Sequence, residues 1–250
     1  MLKFVTFHIM KRKFILALVV FPLCLAAQVK TEYWGEGKKK SEGKVKEGLN
    51  DSVWTYWFEN GTVSARITYK DGHMNGRFCY YWGNGKLMQD GYAVNDAQND
   101  TLSNYYITGK IKSRAFFKDN KMTGPYAEWY DTGVKRVDAF YKDNYLDSTY
   151  TFYSDDGKRS YEKNYKNGKE EGLTSYWNKD GALYWQCNFK NGVPDGLNTT
   201  WHNNGKKESE GMYANGKQDG EWKYWNDKGE MVKTEKYKEG KLLQTKKNGH

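Results

Sequence analysis

Gly220, Glu221, Trp222, Lys223, Tyr224, Trp225, Asn226, Asp227, Lys228 and Gly229 form the stretch from which the rest of the chain can be read. Moving back 24 residues at a time from Gly229 reaches Gly205, Gly181, Gly157, Gly133, Gly109, Gly85, Gly61 and Gly37, nine glycines with no insertion or deletion between them. A fixed period of this size marks a repeat architecture. Four residues before each glycine stands an aromatic: Tyr33, Trp57, Tyr81, Tyr105, Trp129, Tyr153, Trp177, Trp201 and Trp225. Eight residues after it comes a second, mostly aromatic column: Val45, Tyr69, Ala93, Phe117, Tyr141, Tyr165, Phe189, Tyr213 and Tyr237. Three further on is a turn column of Gly48, Gly72, Asp96, Asn120, Asn144, Gly168, Gly192, Gly216 and Gly240. Its three exceptions are the residues that best tolerate a positive φ after glycine, so the column is selected for a left-handed backbone.

The pattern specifies hairpins. Asn60-Gly61, Asn84-Gly85, Asp156-Gly157, Asp180-Gly181 and Asn204-Gly205 are strong hairpin dipeptides. The segments between turns are rich in strand-favouring Tyr, Trp, Phe, Thr and Val. No apolar helical period survives the glycines and asparagines. The expected fold is all-β: an elongated antiparallel β-meander of nine 24-residue hairpin repeats, about eighteen short strands. Both aromatic columns have small residues two positions earlier, such as Thr55, Cys79 and Ser103, or Gly43, Gly91 and Ala115. Both columns are therefore expected on one face, rings packed over small neighbours.

The first 27 residues differ in kind. Lys11, Arg12 and Lys13 precede an apolar stretch from Phe14 to Leu25, then Ala26 and Ala27. This reads as a secretory signal peptide cleaved after Ala27, with Met1 or Met10 as the start. The mature chain, 28–250, is expected to be one repeat domain with repeats from about 33 to 243, located in the periplasm, in the envelope or outside the cell. The whole chain carries +9; the leader holds four basic and no acidic residues, leaving 36 basic against 31 acidic, or +5. The excess gathers at the two ends, as Lys38, Lys39, Lys40, Lys44 and Lys46 and as Lys236, Lys238, Lys241, Lys246 and Lys247. Such clusters serve either binding to an acidic or membrane surface or protection of the open edges of a long sheet. Their coincidence with the ends of the array favours the second.

Cys79 and Cys187 lie 108 residues apart, about 40 Å in a regular meander and beyond disulfide reach. Both are expected free, packed as small residues in the aromatic face. No phosphate-cradling loop, metal-ligand spacing or nucleophile–base set stands out, so no catalytic, metal or cofactor residues are assigned and no nucleic-acid partner is expected. One local departure bears on function. Trp54, Tyr56, Phe58, Phe78, Tyr80, Trp82 and Tyr106 crowd the early repeats where later ones place Thr, Asn or Ser. They form either an exposed patch for a protein or glycan partner or a second packed face where the sheet curls.

Trp225 to Gly229 followed by Tyr237, Lys238, Glu239, Gly240 and Lys241, echoed in Tyr165 to Lys169 and Tyr213 to Lys217, resembles the variant MORN repeats of bacteria. Those are often grouped with YwqK-type proteins labelled as antitoxins. The resemblance covers residues 33 to 243 and departs from the ordinary pattern in its 24-residue period and at Asp96, Asn120 and Asn144. It implies an elongated antiparallel sheet and a role in protein or membrane association without catalysis. The expectation is an exported, non-enzymatic repeat scaffold with a protein partner in the envelope. The alternatives are a cell-wall or glycan-binding module and a toxin-neutralising protein.

Overall fold

The computed structural model describes residues 28–247, so the leader segment lies outside the described residues. Twenty strands follow in chain order: β1 Gln28–Tyr33, β2 Lys39–Lys46, β3 Leu49–Trp57, β4 Val63–Lys70, β5 His73–Tyr81, β6 Leu87–Val94, β7 Ala97–Tyr105, β8 Ile111–Lys118, β9 Lys121–Trp129, β10 Lys135–Lys142, β11 Tyr145–Tyr153, β12 Arg159–Lys166, β13 Lys169–Glu170, β14 Gly172–Trp177, β15 Leu183–Lys190, β16 Val193–Trp201, β17 Lys207–Ala214, β18 Lys217–Trp225, β19 Met231–Lys238 and β20 Lys241–Lys247. Each pairs antiparallel with its sequence neighbours in one open meander. The one exception is β13 and β14, which are two parts of one strand beside β12, interrupted at Glu171. The sheet is thus nine hairpins and a closing strand, one strand more than expected. A stack of this length runs to about 90 Å before twist.

Two kinds of turn alternate. The turn column closes two-residue hairpins in which both residues have positive φ, as at Asp71 (49°) and Gly72 (86°) or Asn215 (49°) and Gly216 (80°). This is the geometry whose twist matches the strands. Asp96, Asn120 and Asn144 adopt it too, at 65°, 64° and 72°. Their side chains add a bond that glycine lacks: each Oδ1 accepts from a backbone amide one repeat earlier, that of Met74, Gln98 or Met122, at 2.7 Å. The Asn-Gly and Asp-Gly dipeptides close the other, longer loops. There Phe58 N donates to Thr62 O and Gly61 N to Phe58 O, and in that loop only Gly61 turns left-handed (84°).

The two aromatic columns fall on opposite faces, which corrects the expectation of a shared one. Tyr56 faces Ala65, Ala65 faces Tyr80, and Tyr80 faces Gln89. Tyr69 lies on that same face, four residues from Ala65, because alternate residues of a strand share a side. Trp57 is adjacent to Tyr56 and so points the other way. The bulge that sets Trp57 against Val63 fixes this register, and a one-residue change of register inverts every side chain.

The first face is the aromatic one. Trp54, Ile67, Phe78 and Ala93 are buried there. Further along, one ring follows another across Phe152–Tyr161 (5.2 Å), Tyr161–Tyr176 (5.5 Å) and Tyr176–Trp185 (5.4 Å). The second face buries small residues, Cys79, Ser103, Thr151, Ser175 and Thr199, beneath the invariant aromatics and long charged side chains. Cys187 belongs to the first face, opposite Thr174 and Asn198. The cysteines are therefore free and buried but not on one face as expected.

Candidate functional site

The early repeats carry an apolar groove on the first face. Strands β3 to β5 present Tyr56, Ile67, Tyr69 and Tyr80, the adjoining loops bring in Phe58 and Trp82, and β6 brings in Met88. The groove has a volume of about 800 Å³. No charged side chain lines it. The Tyr56 and Tyr69 hydroxyls lie 3.3 Å apart across its floor. Burial, then the Tyr69 hydroxyl, pushes the Tyr56 phenol far above its ordinary range, and burial raises that of Tyr80. Both phenols stay neutral at physiological pH, so the groove offers aromatic surface and hydroxyl dipoles but no charge.

The seven aromatics singled out from the sequence divide three ways. Trp54 and Phe78 are buried at 3% and 5% exposure. Tyr56, Phe58, Tyr80 and Trp82 line the groove, with Phe58 37% exposed. Tyr106 lies outside the groove lining; its hydroxyl donates to Trp129 O at 2.7 Å. That bond belongs to a series along the loop edge. Trp34 Nε1 donates to Trp57 O, Trp82 Nε1 to Tyr105 O, and Tyr130 OH to Tyr153 O, each 23 residues ahead. The Trp82 bond holds the rim of the groove. Ile67, Tyr69 and Met88 were not anticipated as lining, because their proximity to Tyr56 depends on strand register.

The second face shows a recurrent triad. Lys39, Arg159 and Lys207 each lie over the invariant ring of the next repeat, Trp57 (5.8 Å), Trp177 (5.0 Å) and Trp225 (5.3 Å). Each also pairs with a carboxylate three residues on, Glu42, Glu162 or Glu210. A cation over an exposed ring contributes about 0.5–1 kcal/mol, and exposed ion pairs add about 0–1 kcal/mol. The triads brace neighbouring hairpins.

His73 Nδ1 donates to Asp96 Oδ2 at 2.6 Å, while His202 Nε2 meets Trp225 O at 3.0 Å. Among the described residues no group of three or more His, Cys, Asp or Glu is placed to hold a metal ion. No helix among them is long and apolar enough to cross a membrane.

Comparison with curated proteins finds no match to the chain. A family model described as the MORN repeat variant matches residues 50–71, 146–167 and 194–215. The second window begins 96 residues after the first and the third 48 after the second, four and two periods of 24. Each window spans an outgoing strand, the longer loop and the returning strand. The chain therefore carries the MORN repeat variant at three places, all in one register.

Proposed function

We propose that this chain is an exported, non-enzymatic repeat scaffold that holds an apolar segment of a protein partner in the groove of its early repeats. The observation that carries the reading is the groove itself: about 800 Å³, aromatic-lined and free of charge on an otherwise charged, polar chain. Aromatic side chains with a polar tip are the usual anchors of protein interfaces. The MORN repeat variant is compatible with scaffolding of this kind. Export rests on the composition of residues 1–27 alone. The test is capture from the source cell's envelope extract with the purified chain, in parallel with Tyr80→Ala and Trp82→Ala variants that keep the wild-type circular dichroism. A defined protein retained by the wild type and lost from both variants supports the reading. Equal retention by all three overturns it.

The second reading is a glycan- or wall-binding module. It draws on the aromatic row Phe152, Tyr161, Tyr176 and Trp185, which sets about one ring per strand along the sheet. Retention on insoluble wall material that is lost in Tyr161→Ala but kept in Trp82→Ala favours it over the first.

A further inference from the structure

We propose that the outer edge of β1 is a self-association surface, where a second copy of this chain adds its own β1 antiparallel about a two-fold axis through Thr31. Among the described residues β1 pairs only with β2. Its other side presents unpaired backbone donors and acceptors, a ready template for strand addition. The strand carries apolar side chains that the described residues leave uncovered, Val29 (65% exposed) and Tyr33 (57%).

Charge selects the occupant. Lys30 and Glu32 share one side of the strand and pair at 2.9 Å, with side chains 56% and 44% exposed. An antiparallel copy centred on Thr31 sets Lys30 against Glu32 of the second copy and Glu32 against its Lys30. On the other side Val29 meets Tyr33. Directly opposed residues on one face interact most strongly in antiparallel sheets, so the charged pair Lys30 and Glu32 and the apolar pair Val29 and Tyr33 each find a complementary partner in another β1.

The opposite end of the sheet refuses the same arrangement. All seven residues of β20 are exposed and none is acidic. A two-fold about Gln244 would set Lys241 against Lys247 at both ends of the strand. Association at one edge alone is isologous and closes at a dimer instead of growing into a filament. The dimer would be one continuous sheet of doubled length. This inference stands independently of what the groove binds.

Sedimentation velocity of the purified chain, its N-terminus defined by mass spectrometry, tests the proposal over a concentration series. A reversible dimer is expected. Lys30→Glu and Glu32→Lys each place like charges at both symmetric positions and weaken self-association by about tenfold or more. Mixing the two single variants restores the dimer, and so does the double variant in one chain, because opposite charges again face each other. That restoration also shows both variants to be folded. A chain that stays monomeric at every concentration, or a dimer indifferent to both substitutions, overturns the proposal.

Discussion

The indole of Trp222 occupies the space that a side chain on Gly211 would need: a Cβ built there would lie 2.2 Å from Trp222 Cδ2. The same relationship joins Gly43 to Trp54 (2.3 Å) and Gly91 to Phe78 (2.4 Å). Both indoles are fixed by a bond to the neighbouring strand, Trp222 Nε1 to Met212 O and Trp54 Nε1 to Lys44 O. Elsewhere in this layer alanine takes the glycine's place. Leu102 faces Ala115, and Tyr126 faces Ala115 and Ala139. For Trp54, Phe78 and Trp222, ring bulk on one strand is matched by a glycine on one of the two flanking strands, which lets the layer close-pack.

Gly211→Ala is accordingly expected to destabilise by about 1–3 kcal/mol through overpacking. In a Trp222→Leu background the added alanine should cost less, since at the equivalent pair a Cβ on Gly91 would lie 2.8 Å from Leu102 Cδ1, the far end of a flexible side chain, against 2.2 Å from the Trp222 ring. Urea denaturation followed by circular dichroism gives the coupling. Equal costs in the two backgrounds would show that the ring is not what excludes the side chain.

Asn144 separates two effects in one position. Asn144→Gly keeps the left-handed turn but removes the 2.7 Å bond to Met122 N, an expected loss of about 1 kcal/mol. Asn144→Ala removes the bond and adds about 1–2 kcal/mol for a left-handed backbone with a Cβ. Thermal or urea unfolding should rank wild type above Gly and Gly above Ala.

The turn at Asp96 should be sensitive to acid. The hydrogen bond from His73, then that from the Met74 amide, holds the Asp96 carboxyl below its usual range. A depressed acid stabilises the fold above its unfolded pKa, and that contribution is lost as pH falls through the folded value. Below about pH 4 the Met74 amide should exchange faster relative to those of Gln98 and Met122. Those two bond to Asn120 and Asn144, which do not titrate. Parallel behaviour of all three amides on acidification would refute this.

The cysteines should be inert in the native state. Burial pushes the Cys187 thiol up to about 11, and burial, then the Asp90 charge, raises that of Cys79. Only the thiolate reacts. Iodoacetamide at neutral pH should modify both residues in denaturant and neither in buffer, with an intact mass lacking any bridge. Fast native labelling of Cys187 would contradict its burial at 0% exposure.

The amino-acid sequence by itself determined the repeat, its strands and its turns. Nine glycines in register and a turn column of Gly, Asp and Asn act locally, within two or three residues, so their meaning survives without neighbours. Which aromatics meet was decided only by the tertiary structure. The bulge opposite Trp57 and the longer loop after it set the register, and register alone sends Trp57 to one face and Tyr69 to the other. For the same reason the early aromatic cluster could be seen as a cluster but not divided. Trp54 and Phe78 became core because Gly43 and Gly91 admit them, while Tyr56, Tyr80 and Trp82 were left to line a groove. The cation–ring–carboxylate triads were equally hidden, since Lys39 and Trp57 are 18 residues apart and touch only across paired strands. Local backbone chemistry is written in single residues, whereas faces and grooves are properties of pairs that only strand pairing brings together.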